Sequence, residues 1–200
     1  MTNDVQILNN GYPMPAVGLG VYKIADEQME EVVRTALDAG YRAFDTAYFY
    51  GNEKALGSAL KHSNVERDEL FITSKLWNDY QGYDQTIEYF NKSLDNLGLD
   101  YLDLFLIHWP CENDQLYIES YKALEHLYEE GKIKAIGVCN FKIHHLEKLM
   151  KETKITPQVN QIELHPYFNQ QDVQDFCDEH DIKVTAWMLS LIHISEPTRL

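Results

Sequence analysis

The chain has 200 residues, 44% of them hydrophobic and 24% charged, a balance that supports one sizeable core and excludes intrinsic disorder. Seventeen basic against 32 acidic residues leave a net charge of −15. That charge repels nucleic acid and anionic membrane, and it leaves any anionic ligand dependent on local donors.

The first ten residues, MTNDVQILNN, carry neither a basic n-region nor an apolar h-region. No apolar run approaches the roughly 20 residues of a membrane helix, so a cytoplasmic protein is expected. Residues 5–20, VQILNNGYPMPAVGLG, hold two short extended runs around Asn9-Asn10-Gly11. Asn-Gly between apolar runs predicts a β-hairpin ahead of the main fold, placed to plug one end of it.

Apolar runs of strand length then recur: AVGLGVY, YRAFDTA, LFITSKLW, YLDLFLIHW, IKAIGVCNF, PQVNQIEL and IKVTAW. Helical periodicity separates them. Met29, Val32, Val33, Ala36 and Leu37 precede Gly40; Ile87, Phe90, Leu94 and Leu97 precede Gly98; Tyr117, Tyr121, Leu124 and Tyr128 precede Gly131. Leu146, Leu149 and Met150, then Val173, Phe176 and Cys177, mark two shorter helices. Strand starts near Val17, Arg42, Leu70, Leu102, Lys134, Val159 and Val184 are 25 to 32 residues apart, the length of one βα unit. Seven such units in series fit a (β/α)8 TIM barrel better than a doubly wound sheet. Gly18-Leu19-Gly20 is only half of a GxGxxG, with Lys at position 23, and argues against a Rossmann site.

Catalytic groups of such a barrel sit at the C-terminal strand ends. Those ends carry Asp45 with Tyr50 just beyond, Lys75, His108, Cys139 with Asn140, Gln161 with Glu163, and Trp187. Lys75 interrupts an apolar strand, where an unpaired ammonium is costly, so it needs an anion. Asp45, one strand away, is the expected partner, and a purely structural pair remains open at this point. An ammonium beside Tyr50 favours its anion and lowers its pKa, which would make the phenol a usable general acid. His108 reads either as a satisfied core histidine or, beside Tyr50, as a group that orients a carbonyl.

The stretches GLGVYK, FDTAYFYGNE, ITSKLW, DLFLIHWP, IGVCNF, VNQIELHPYF and TAW occur in this order, and together they resemble the aldo-keto reductase family from about residue 5 to residue 188. The likeness is strongest to bacterial members that reduce small aldehydes and dicarbonyls such as glyoxals or diketo sugar acids. It implies that Asp45, Tyr50, Lys75 and His108 form a catalytic tetrad, with NADPH giving a hydride to a carbonyl carbon and Tyr50 a proton to its oxygen. It further implies that Asn140 and Gln161 hold the nicotinamide carboxamide, that Trp187 stacks on the ring, and that Asp45 lies beside them. Cys139 stands where the family commonly has Ser, which predicts looser cofactor binding. Tyr22, Phe49, Trp77 and Trp109, with His108, match the wall of the substrate pocket. Monomer is the family's usual state.

Other patterns carry less. Cys111, Cys139 and Cys177 are odd in number and widely spaced, without a disulfide or CxxC pattern. His108 and Cys111 have H-x-x-C spacing but no second ligand pair, so no metal is expected. His144 and His145 are helix neighbours that cannot face one ligand together, and the sequon at Asn91 lacks a secretory signal.

After VTAWM the chain reads LSLIHISEPTRL, where the resemblance implies a loop around the cofactor pyrophosphate, an eighth strand, a basic segment for the 2′-phosphate and closing helices. Residues 1–188 are therefore read as the N-terminal part of the barrel, and 189–200 as a non-native tail. Such a barrel would leave its first and seventh strands with open edges. The functional expectation is an NAD(P)H-dependent oxidoreductase reducing small aldehydes, ketones or dicarbonyls. The alternatives are a non-catalytic binding or structural protein on the same fold, or an inactive fragment.

Overall fold

A computed structural model describes residues 4–189. It opens with the expected hairpin: β1 (Val5–Ile7) and β2 (Pro13–Pro15) run antiparallel, with Val5 opposite Pro15 and Ile7 opposite Pro13. Gly11 turns the chain at φ 83°, a conformation that costs glycine little.

Seven parallel strands follow: β3 (Gly18–Gly20), β4 (Ala43–Asp45), β5 (Phe71–Leu76), β6 (Leu102–Ile107), β7 (Ile133–Cys139), β8 (Val159–Glu163) and β9 (Lys183–Trp187). They pair strictly in chain order, and the sheet curls into most of a barrel. Six helices connect them: α1 (Asp26–Asp38), α2 (Glu53–Lys61), α3 (Tyr83–Leu97), α4 (Asp114–Glu129), α5 (Ile143–Glu152) and α6 (Gln171–Glu179). β3 and β9 are the two ends of the sheet and do not pair with each other among the described residues. The tail expected at 189–200 lies, apart from Leu189, outside the described residues.

The central strands β5 to β8 are buried on both faces, which is why they read as nearly continuous apolar runs, whereas the edge strands β3 and β9 are partly exposed. Phe44, Ile72, Leu76, Phe105, Ile107, Ile136, Val138 and Ile162 face the helices in one core. Ala43, Phe71, Leu104, Leu106, Ala135, Cys139 and Val159 fill the barrel interior with Leu8 and Met14 of the hairpin. The plug is fastened by polar bonds as well. Tyr12 Oη donates to Asp103 Oδ1 at 2.6 Å, Arg67 pairs with Asp103 at 2.7 Å, and Asn9 Nδ2 donates to the carbonyls of Pro157 and Asp181 at 3.1 Å each.

Helix α2 was not expected from periodicity. It buries Leu56, Ala59 and Leu60 and brings Gly57 against the end of α3, where a Cβ would stand 2.2 Å from the Leu97 carbonyl oxygen. Among the described residues, no helix is long and apolar enough to cross a membrane.

Candidate active site

Side chains alternate across a strand, so the register that turns Ala43 and Phe71 inward also turns Asp45 and Lys75 inward. Lys75 is fully buried, and its ammonium contacts the Asp45 carboxylate directly. Its Nζ also donates to the Thr46 carbonyl at 2.9 Å and to Tyr50 Oη at 3.4 Å. Burial favours the neutral amine, but the Asp45 carboxylate, followed by Tyr50, outweighs it and holds the ammonium above the usual lysine range.

Tyr50 ends a 3₁₀ turn over Tyr48–Tyr50 that Gly51 closes at φ 72°. The expectation that Lys75 would bring its pKa below the usual value needs correction. Burial raises the phenol, Lys75 lowers it, Asp45 raises it again, and the net direction is upward. The ammonium therefore offsets a desolvation penalty. What it favours is the charged form, the phenolate.

His108 follows β6 and faces the same interior. Its ring stands at 5.8 Å and 73° to that of Tyr50, and at 5.3 Å and 81° to that of Trp77. Burial, then repulsion from Lys75, pushes its pKa down to about 3, so the imidazole is neutral near pH 7 and able to donate one N–H. Its Nδ1 is buried with no hydrogen-bond partner among the described residues.

The next three strand ends supply an amide cluster. Gln161 Nε2 donates to Asp45 Oδ2 at 2.8 Å, and among the described residues its Oε1 has only the Cys139 thiol, at 3.9 Å. Asn140 adopts a left-handed φ of 63°, donates from Nδ2 to the His108 carbonyl at 3.0 Å, and accepts from Trp187 Nε1 at 3.0 Å. Cys139 is buried, and that burial pushes its thiol well above the usual range. It is inert as a nucleophile and a weak hydrogen-bonding group.

The aromatic wall divides in two. Tyr22 lies 4.8 Å from the Tyr50 ring, and Phe49 stacks on Trp77 at 3.9 Å, so these three gather beside Tyr50 and His108. Trp109 stands edge-on to Trp187 at 6.4 Å, by the amide cluster. Glu163 turns instead to His165 at 3.1 Å.

Sequence reasoning missed two groups. Thr46 and Asn52, both buried, hydrogen-bond each other across the Tyr50 loop at 3.0 Å. Gln81, also buried, donates to the Trp109 carbonyl at 2.7 Å and links the loops after β5 and β6. Asn52 lies inside the FDTAYFYGNE stretch, but nothing local marks an Asn after a Gly as buried.

The arrangement offers a phenol proton, a cation to receive the resulting charge, a neutral imidazole and an amide pair at one mouth. Comparison with known proteins shows which sequences and folds the chain is similar to. Glyoxal reductase of Bacillus subtilis is 50% identical over 185 residues, 92% of this chain and 66% of that protein. A crystal structure of an aldo/keto reductase from Brucella melitensis superposes with a TM-score of 0.92 at 46% identity, covering 94% of this chain and 73% of that one. A Bombyx mori aldo-keto reductase solved in complex with NADP gives 0.89 at 32% identity, covering 94% and 67%. The chain spans 63 to 66% of the length of the curated relatives it matches. Since the pattern of the Aldo/keto reductase family matches residues 16–190, most of its length, the chain belongs to that family.

Proposed function

We propose that the chain carries the proton-delivery and nicotinamide-binding residues of a carbonyl reductase acting on small aldehydes, ketones or dicarbonyls. The observation that carries this reading is the unbroken contact from Asp45 through Lys75 to Tyr50, with a neutral His108 ring beside the phenol. Tyr50 donates its proton to the carbonyl oxygen, and Lys75 stabilises the phenolate left behind. His108 donates an N–H to the same oxygen and aligns the substrate. Asp45 keeps Lys75 charged and through Gln161 fixes the amide cluster.

The residues fit a nicotinamide. Gln161 Oε1, with only a thiol at 3.9 Å, has capacity to accept from a carboxamide NH2, and Asn140 Nδ2 keeps one proton beyond its bond to His108. Trp187, tethered to Asn140, is in reach to cover the ring. When bound, a reduced nicotinamide dinucleotide supplies the hydride to the carbonyl carbon. The NADP bound by the Bombyx mori relative supports NADPH as that cofactor. Tyr22, Phe49, Trp77 and Trp109 give the substrate an apolar wall, and the named substrate of the Bacillus subtilis relative supports small dicarbonyls.

The test is Tyr50→Phe in the intact protein. It should lower kcat for carbonyl reduction by about 10²- to 10⁴-fold while leaving the Kd for NADPH nearly unchanged. Undiminished turnover would remove Tyr50 as the acid, and no NADPH-dependent turnover of small carbonyls by the unmutated protein would remove the reading altogether.

A further inference from the structure

The geometry points to Thr46 and Asn52 as a positioning pair that sets the separation of the Tyr50 phenol from the Lys75 ammonium. This inference deepens the reading of Tyr50 as proton donor and rests on it. Tyr50 is the one member of the Asp45, Lys75, His108 and Tyr50 group carried by a loop instead of a strand end. Its reach toward Lys75 therefore depends on how the loop from Thr46 to Asn52 is closed.

The closure is made by side chains. Thr46 Oγ1 donates to Asn52 Oδ1 at 3.0 Å, and Asn52 Nδ2 donates to the Val21 carbonyl at 2.8 Å. Thr46 is 0% and Asn52 3% exposed, so each bond stands in place of lost water. Thr46 also touches the reacting group's neighbour. Its carbonyl accepts from Lys75 Nζ at 2.9 Å, and its N–H donates to the Thr73 carbonyl at 2.9 Å. One residue thus ties Lys75 through its backbone and the far end of the Tyr50 loop through its hydroxyl.

The adjoining residue extends the anchor. Glu53 begins α2 and is 2% exposed, and neutral donors take both its oxygens: Ser74 Oγ at 2.7 Å and Asn96 Nδ2 at 3.0 Å. Ser74 precedes Lys75 on β5 and faces the helices. A buried carboxylate without a cation is a poor way to stabilise a fold. What this one contributes is a fixed distance between the start of α2 and the strand that carries Lys75.

Thr46→Val removes the hydroxyl at nearly constant shape. With tyrosines labelled at ¹³Cζ, the Tyr50 resonance is the one lost in Tyr50→Phe, and its titration reads the Lys75 influence without cofactor or substrate. If the loop slips by about 1 Å, the Tyr50 midpoint in Thr46→Val should rise by about one pH unit. kcat should fall about tenfold with the KM for the carbonyl unchanged. Thr46→Ser, which keeps the hydroxyl, should return both, and Asn52→Ala should reproduce the shift from the other end of the bond. An unmoved Tyr50 midpoint in Thr46→Val and Asn52→Ala overturns the inference. If carbonyl reduction survives Tyr50→Phe, the functional reading fails, yet the midpoint still decides the positioning role.

Discussion

Placing His108 in a buried site next to an ammonium should make the protein acid-labile by a calculable amount. Its folded pKa of about 3 lies below the 6.5 of a free histidine, so below pH 6.5 the unfolded chain binds a proton that the folded chain refuses. The stabilising contribution is therefore fully present above the unfolded pKa and is lost as pH falls toward the folded one. Between pH 7 and pH 5 the loss from this one group is about 2 kcal/mol. With a urea m-value of about 2–3 kcal/mol/M, that lowers the midpoint by about 0.7–1 M. The assay is urea unfolding of the unmutated protein and of His108→Asn at each pH. Carboxylates also respond to acid, but they do so in both proteins, and the difference between the two curves isolates His108. The unmutated protein should lose about 2 kcal/mol more than His108→Asn over this interval. Parallel curves would refute the reasoning, because they would mean that the ring is hydrated or paired in the folded state.

Two further perturbations test the packing around the same site. Lys75→Met removes the cation from a buried pair and leaves Asp45 with Gln161 as its remaining side-chain partner; equilibrium unfolding should show a loss of about 3 kcal/mol at neutral pH, at the lower end for such pairs because Asp45 is partly exposed. Gly57→Ala drives a Cβ to 2.2 Å from the Leu97 carbonyl oxygen, so it should lower stability by about 1–3 kcal/mol in the same measurement, although alanine is the better helix former.

The central strands were legible because both faces of the sheet are buried there. The expected strand starts fall within a residue of the observed ones, as at Arg42 against Ala43 and Leu70 against Phe71. Lys75 stood out for the same reason, being a charge inside such a run. Helix α2 escaped notice because it has nine residues with a glycine at its centre, and Gly57 is there for close approach to α3, a tertiary demand that no local pattern records. The division of the aromatic wall was equally hidden. The sequence places Trp77 and Trp109 just beyond two strand ends, but stacking on Phe49 and contact with Trp187 are set by neighbours from other units. The direction of the Tyr50 shift was misjudged because the Lys75 charge is visible in the sequence, whereas the burial that outweighs it is not.

The site divides the work between rigid and adjustable parts. Asp45, Lys75 and Gln161 are held by β4, β5 and β8, and His108 follows β6 directly, so the paired sheet fixes their mutual positions. Tyr50 has no strand to hold it. At an effective dielectric of about 20, unit charges at the observed 3.4 Å interact by about 5 kcal/mol, and retreat by 1 Å forfeits about 1 kcal/mol of that. A loop that wandered by an ångström would thus give up most of a tenfold preference for the phenolate. The loop is accordingly restrained at three points. Thr46 and Asn52 close its ends, Gly51 sets the turn at φ 72°, and Tyr48 lies edge-on to Tyr80 and Tyr89, which stack on each other at 3.5 Å. With the bond from Asn52 to the Val21 carbonyl, these contacts reach the segment just after β3, the loop after β5 and helix α3. A phenol on a loop can thereby be placed almost as firmly as a side chain on a strand.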